Sequence, residues 1–450
     1  FAWRENLSVV LTWRWISMPG GDCFWVVGAI GWFILDLPHS MTIERRLLYL
    51  LPFAPRLDAT NGGSKVMAQI LSRMAAHHKL CLVYLRGIDE PPIDELIRQH
   101  CDCAVEVIRA WSGSDFIHRW VRQSRLVISL IGNRPMWVTD WYSREYSEKA
   151  RSIIERWHPD ILHIDYHIMG QYLPALYGCT APRVLTMPES GERAAPFITS
   201  SNKFIQLLNR YDRLAWRRYE KAVVQEVDAV VVFTDCDNKA IARLASGTRI
   251  VKIPLGTEIP ENPQDLGDDY PPKLLFFGSF IHPPNLDAAL RLAHSIFPSL
   301  LARVPELELY IVGDQPPPVL KRVANEKIMV TGRVPDLAPY LARASIVVAP
   351  LRLGGGMRVK ILETLAAGKA LVTTPLAVEG LAIIDREQVV LAESDAEFVQ
   401  AIIKLLADPE MRAALANRAR TWACENLGWE KSIAAYEGLY TNLIESAQPS

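Results

Sequence analysis

The sequence predicts two α/β units in tandem, each a mainly parallel sheet with helices on both faces. Two observations carry that expectation. Short apolar runs alternate with segments of helical period along two long stretches, and a stretch rich in proline and acid separates them. A chain of 450 residues is also too long for one ordinary core.

In the first unit the apolar runs are residues 47–51, 80–85, 161–164, 183–185, 229–233 and 250–253, and helical period marks 64–77, 143–157, 204–225 and 238–244. Residues 259–272 hold prolines and acids that cannot build a packed element, so they read as a linker. The alternation restarts with the runs 274–277, 307–312, 328–331, 346–349, 370–374 and 389–391, between the helical segments 286–303, 336–343 and 357–367. Residues 396–406, 409–426 and 430–446 are amphipathic with no strand after them, and are expected to cross back over the domain pair. The predicted domains are therefore 41–258 and 273–427, followed by a helix and tail at 428–450.

Residues 1–40 read differently. Trp3, Trp13, Trp15, Trp25 and Trp32 follow no helical or strand period. The apolar run 23–35 falls short of the roughly 18–20 residues of a membrane span. A compact basic start and a cleavage site are missing, which argues against a signal peptide. Met41 precedes Thr-Ile-Glu-Arg-Arg and the strand 47–51, so the native start is expected there, with 1–40 an extension without a fold. An amphipathic arm touching a membrane is the alternative.

Composition is that of an ordinary globular protein, with 50% apolar and 22% charged residues. The formal net charge of −1 supplies no global field for nucleic acid, so any basic attraction is local. The 7 cysteines are odd in number and scattered, which favours a reducing cytoplasm over a secreted disulfide framework. Cys101 and Cys103 form a CxC pair, but no second pair follows at zinc spacing, and no metal is expected.

Ligands of doubly wound sheets lie beyond the carboxyl ends of the strands. Glycines stand at several such ends in the second unit: Gly278-Ser279, Gly313-Asp314, Gly332-Arg333 and Gly354-Gly355-Gly356. The last run lets the backbone approach a ligand closely. The following helix aims free N–H groups and the positive end of its dipole at the loop. Arg358 and Lys360 place cations in the first turn, where they are unfavourable unless an anion is bound; a diphosphate would supply one. Glu363, farther along, can accept two hydrogen bonds from vicinal hydroxyls such as those of a ribose.

The ordered set Phe277-Gly278-Ser279, His282-Pro283-Pro284-Asn285, Gly332 to Asp336, Gly354 to Glu363 and Thr374 to Leu381 resembles the group 1, or GT4, glycosyltransferases. The resemblance covers the C-terminal half and, more faintly, residues 41–256. It implies a GT-B fold, a nucleotide-diphosphate sugar as donor, no further cofactor, and retention of configuration at the transferred sugar. By the same resemblance Glu363 holds the ribose, and Gly354, Gly355, Gly356, Met357 and Arg358 hold the diphosphate and sugar. Arg333 and Val334 flank the base, and Gly278 and Ser279 lie beside the phosphates. The first glutamate of the family's E-x7-E motif falls on Gly355, and the usual cations after the Gly278 turn are absent, with Asn285 nearby. Arg358 and Lys360 are expected to supply the missing phosphate charge.

In the first unit Asn61-Gly62-Gly63-Ser64 opens a helix after the first strand. In the family a Gly-Gly loop here closes over donor and acceptor; a plain N-cap by Asn61 or Ser64 is the other reading. The segment 160–165 resembles the family's strand that ends in an active-site histidine, with Asp165 in its place. Asp165 or His167 is expected to position the acceptor hydroxyl, a donor phosphate oxygen taking its proton. Asp235-Cys236-Asp237 matches a metal-binding Asp-x-Asp pattern, but its place between a strand and a helix is that of an N-cap.

Residues 109–142 mix Arg109, Arg119, Arg122, Arg125 and Arg134 with Trp111, Phe116, Trp120, Trp137 and Trp141. Such a patch suits an anionic membrane surface at the inner face or a lipid-linked acceptor; a half-buried helix with solvated arginines is the other reading. The expected partners are a nucleotide sugar and a glycan or lipid-linked acceptor. The alternatives are a nucleotide-sugar 2-epimerase on the same fold and a non-catalytic nucleotide-sugar-binding protein.

Overall fold

The computed structural model describes residues 13–14, 26–27, 44–59, 62–109, 121, 124–125, 128–189, 203–244, 247–263, 270–354 and 358–447. The chain divides into the units Phe1–Ile43 and Glu44–Ser450. In the first, β1 (Trp13–Arg14) pairs antiparallel with β2 (Val26–Val27). The start expected at Met41 lies outside the described residues, as do 264–269 of the linker.

Within the second unit, a parallel sheet is built from β3 (Arg46–Leu51), β4 (Lys79–Gly87), β5 (Cys103–Arg109), β6 (Ile161–Asp165), β7 (Arg183–Met187), β8 (Ala229–Val232) and β9 (Arg249–Lys252). Its order is β5-β4-β3-β6-β7-β8-β9. The other parallel sheet holds β10 (Lys273–Phe277), β11 (Glu308–Val312), β12 (Ile328–Val330), β13 (Ile346–Ala349), β14 (Leu371–Thr373) and β15 (Val390–Leu391), in the order β12-β11-β10-β13-β14-β15. Central strands such as β6, β8, β10 and β13 are buried at every residue, as a sheet covered on both faces requires. Strand order reverses between β3 and β6 and again between β10 and β13. Those two switch points open the crevices in which doubly wound sheets hold ligands.

The principal helices are α1 (Gly62–Met74), α2 (Arg144–Trp157), α3 (Lys203–Gln225), α4 (Asp235–Ala242), α5 (Pro283–Arg291), α6 (Val359–Ala366), α7 (Asp395–Ala407), α8 (Pro409–Asn426) and α9 (Trp429–Ala447). Their starts are chemically marked. Ser143 accepts from the Tyr146 N–H, Ser394 and Glu397 form a capping box before α7, and α5 carries prolines in its first turn. The C-terminal helices do cross back. Arg420 on α8 donates to the Ala366 carbonyl at the end of α6 (2.6 Å), whereas α9 lies on the first sheet, with its Tyr440 hydroxyl 3.0 Å from that of Tyr49 and 2.6 Å from His163 Nδ1.

Four features depart from the sequence reading. The half-buried strand β5 escaped it because Glu106 and Arg109 interrupt its apolar pattern. Residues His167–Leu176 form a 3-10 helix where no element was expected. The single helix expected over 286–303 is broken by a π-helical turn at Leu292–Ile296. Cys81 and Cys103 are bonded to each other, so the cysteines are not all free thiols. They face each other on β4 and β5 with Cα atoms 4.7 Å apart, a partnership that sheet register creates.

Candidate functional site

Both switch points carry candidate residues. At the first, β3 leads through residues 52–61 into α1, which begins at Gly62 and Gly63; Asn61 lies outside the described residues. Ser64, an N-cap only in the alternative reading, donates its hydroxyl to the Ala54 carbonyl (2.7 Å) and ties the loop back onto itself. A Cβ at Gly63 would stand 2.5 Å from the Tyr166 hydroxyl and 3.1 Å from the Phe53 ring, so the close approach of these groups requires glycine. Tyr166 itself has φ 72°, a strained conformation for a side chain of that bulk, and its ring meets Phe53 edge-on at 5.3 Å.

That turn separates the fates of the two residues expected to handle the acceptor. Asp165 ends β6 at the switch point. Burial pushes its carboxyl up to about 7, against the lowering effect of the Tyr166 N–H it accepts. His167 lies elsewhere. It is 1% exposed, packed edge-on against Trp216 (4.9 Å) and Trp137 (5.6 Å), and neither ring nitrogen has a hydrogen-bond partner. Burial lowers its pKa to about 3, so the ring is a neutral core group without access to an acceptor.

The second switch point gathers the other residues. Gly278 directly follows β10, and Ser279 accepts from the Asn285 amide through its carbonyl (2.7 Å). Lys360, in the first turn of α6, donates to Asn285 Oδ1, and its ammonium lies 4.8 Å from the centre of the Phe276 ring. The residue as a whole is half-buried, but its ammonium sits among Asn285, Phe276 and the Gly278 turn. Burial of the cation lowers its pKa to about 7; Glu363 opposes that shift and Arg358 adds to it. Arg358 is the N-cap of α6, outside the first turn where the sequence placed it, and its guanidinium donates to the Gly354 carbonyl (2.8 Å). Gly354 has φ 112°, whereas Gly355, Gly356 and Met357 lie outside the described residues.

Glu363 faces the other sheet. Lys65 of α1 donates to its Oε1 at 2.6 Å. Arg333, after β12, donates to the Asp58 carbonyl at 2.7 Å, and Val334 beside it packs on the core. Arg56, hydrogen-bonded to Asp58 at 2.8 Å, holds that carboxyl below the usual range. The position of a Gly62 Cβ is 3.9 Å from Val359 at the start of α6. Asp58, Gly62 and Lys65 thus reach across to the very positions expected to hold a ribose and a base. Lys65, Asp58 and Tyr166 were not singled out from the sequence. A lysine in the first turn after a Gly-Gly loop was the only local signal.

Two other constellations are structural. Thr234 caps α4, accepting from the Asp237 N–H at 3.1 Å, and Lys252 pairs with Asp235 at 2.8 Å. Among the described residues no group of three or more His, Cys, Asp or Glu is placed to hold a metal ion. Of the basic aromatic stretch 109–142, Trp111, Phe116, Arg119, Trp120 and Arg122 lie outside the described residues. Arg109 stacks on Trp141 (4.1 Å) and pairs with Glu90 (2.6 Å), while Trp137 packs against the buried Trp216. Arg125 donates to the Tyr142 carbonyl at 2.7 Å, and Arg134 is exposed. The tryptophans described here thus pack inward, whereas residues 131–134 are exposed.

Two parallel sheets of this topology, with residues meeting between their switch points, define the GT-B fold. Solved structures bear this out. Sucrose-phosphate synthase from Thermosynechococcus elongatus superposes with a TM-score of 0.67 at 16% identity, covering 89% of this chain and 100% of that one. Anabaena HepE in complex with UDP and glucose gives 0.63 at 13% identity over 89% and 100%. The model of the family Glycosyl transferases group 1 matches residues 271–408. An uncharacterized glycosyltransferase of Methanocaldococcus jannaschii is 29% identical over 133 residues, which are 28% of this chain and 34% of the relative. A phosphatidyl-myo-inositol mannosyltransferase of Mycolicibacterium smegmatis is 30% identical over 194 residues, 39% of this chain and 47% of the relative. The chain therefore spans less than half the length of either curated relative in these matches.

Proposed function

We propose that the protein is a retaining glycosyltransferase that moves a hexosyl group from a nucleotide-diphosphate sugar to a glycan or lipid-linked acceptor. The observation that carries this reading is Glu363 on α6, near the Gly278 turn and Lys360, faced by α1 of the other sheet. The ribose hydroxyls would bond to Glu363, and the diphosphate would lie against Lys360 and the N–H groups that open α6. In transfer the bond from the anomeric carbon to the phosphate oxygen breaks as the acceptor oxygen bonds to that carbon. The acceptor proton passes to an oxygen of the leaving diphosphate, so no strong protein base is needed. The contribution of these residues is positioning, together with stabilisation of the charge that develops on the leaving group.

UDP- and GDP-sugars should be screened for thermal stabilisation, since a ligand bound only by the folded protein raises Tm by mass action. The product's anomeric configuration should then be read by NMR. Retained configuration is expected. An inverted product overturns the mechanism, and failure of every donor to stabilise the protein overturns the reading as a whole. Gly355 in place of the family's first glutamate favours one competitor, a binding protein without turnover. Tight donor binding with neither transfer nor donor hydrolysis would establish that competitor.

A further inference from the structure

The face of the first sheet that α9 covers is not wholly apolar. Side chains two apart on a strand share a face, and registered partners on parallel neighbours lie side by side. Tyr49 on β3 is registered with His163 on β6, and Asp165, two residues on, with Thr186 on β7. These four side chains form one polar island at the switch point, and α9 lays Tyr436 and Tyr440 over it. All six residues are buried.

Hydrogen bonds run through the island in a line. The Tyr49 hydroxyl lies 3.0 Å from that of Tyr440, which is 2.6 Å from His163 Nδ1, and His163 Nε2 is 2.7 Å from the Thr186 hydroxyl. Burial lowers the His163 pKa to about 3, so the ring is neutral and carries a single N–H. Were that N–H at Nδ1, it would donate to Tyr440, Tyr440 would donate to Tyr49, and the buried Tyr49 hydroxyl would have no acceptor among the described residues. With the N–H at Nε2, Tyr49 donates to Tyr440, Tyr440 to Nδ1, and Nε2 to Thr186. An unpaired buried donor carries its full desolvation cost, so the second arrangement is the stable one. It leaves the Thr186 hydroxyl free to donate, and the Tyr436 hydroxyl has no partner either. Asp165 stands beside Thr186 in the sheet, and its charge is felt at Tyr436. An ionised carboxylate can accept from both hydroxyls.

We propose that Thr186 and Tyr436 are the hydrogen-bond donors that hold the Asp165 carboxylate for the acceptor hydroxyl, with His163 and Tyr440 setting the direction of the chain behind them. The role given to Asp165 rests on the sugar-transfer reading; the chain itself does not. Helix α9 follows the second sheet in sequence, yet it supplies a donor to a carboxylate at the end of a strand of the first. These are positioning residues, since Asp165 alone would touch the acceptor. The titratable groups that face Asp165 are His163 on its own strand, Tyr49 on β3, Tyr436 and Tyr440 on α9, and Tyr166 at the turn. Burial keeps each of them neutral at pH 7, so hydroxyl donors rather than a counter-ion favour the carboxylate.

Infrared titration of the full chain reads the ionisation of Asp165 directly, its protonated-carboxyl band being assigned by its loss in Asp165→Asn. The parent midpoint should be no higher than about 7. Thr186→Val and Tyr436→Phe keep the shape and remove a bond to the charged form, so each should raise the midpoint by about one pH unit. Thr186→Ser keeps the hydroxyl and should titrate like the parent; a loss of packing alone would lower Tm without following that pattern. An unmoved midpoint in either Thr186→Val or Tyr436→Phe overturns the proposal. Donor hydrolysis, with water in the acceptor's place, should then be followed against pH using the UDP- or GDP-sugar that best stabilises the protein. Its acid limb should track the infrared midpoint in the parent and the variants alike. A limb that stays put while the midpoint moves overturns the role given to Asp165. Shifted midpoints without turnover of any donor overturn the transfer reading and leave the chain standing.

Discussion

The ion pair between Lys65 and Glu363 sets up a competition that can be measured. Lys65 occupies Oε1 of the carboxylate at 2.6 Å, whereas a ribose presenting two vicinal hydroxyls needs both oxygens. The side chains are 40% and 24% exposed, so the pair belongs with partly solvated ion pairs worth up to about 1 kcal/mol, well below the low-dielectric Coulomb value. Lys65→Met, which keeps the aliphatic stem, should lower stability by no more than that. It should tighten donor binding by up to about fivefold, because Glu363 no longer has to be released. Glu363→Gln removes charge-assisted bonds worth about 1.5–3 kcal/mol and should weaken donor binding about ten- to a hundredfold. Since Lys65 acts through Glu363, adding Lys65→Met to Glu363→Gln should change nothing further. Isothermal titration with the best-stabilising nucleotide sugar measures all four proteins. The reasoning is refuted if Lys65→Met weakens binding as much as Glu363→Gln, for then Lys65 itself touches the donor, or if Glu363→Gln binds like the parent.

Lys360 gives the free protein a group that titrates near pH 7, and a bound diphosphate would raise its pKa by stabilising the cation. Donor affinity should be greatest below pH 7, fall as pH rises above it, and be accompanied by proton uptake; titration in buffers of different ionisation enthalpy detects this, and Lys360→Met should abolish the uptake. Asp165 has its folded-state pKa raised from 3.8 to about 7, so the folded state holds more protons than the unfolded between those values, and its contribution to stability is lost as pH rises through that window. Asp165→Asn should remove this loss, which is read from urea midpoints between pH 5 and 8 in both proteins; parallel curves would refute it. At Gly313 a Cβ would stand 1.8 Å from the Gly278 carbonyl oxygen, a backbone atom that cannot yield cheaply. Gly313→Ala should therefore cost more than about 2 kcal/mol in denaturant unfolding, and an unchanged midpoint would refute the close packing of the two turns.

Much of this was legible along the chain. Strands such as 229–232 and 346–349 are continuous apolar runs because both faces of a parallel sheet are covered, and that demand is written locally. The turns at Gly278 and Gly313 were legible for a related reason, because a backbone that passes so close to another excludes side chains. Strand β5 was not, since an edge strand tolerates the polar residues that hide its period.

The sequence by itself determined the two sheets, the glycine turns at their strand ends and the helix that follows the glycine run at 354–356. Only the tertiary structure decided which side chains meet there. Lys65 and Glu363 lie 298 residues apart in sequence, and Arg333 and Asp58 lie 275 apart, so no local pattern could pair them. His167 and Asp165 are two positions apart in the same strand-end segment, yet one is sealed among tryptophans and the other stands at the switch point. Both are buried, and what separates them is the backbone turn at Tyr166, which sends the two side chains into different surroundings set by what packs around the strand rather than by the residues within it.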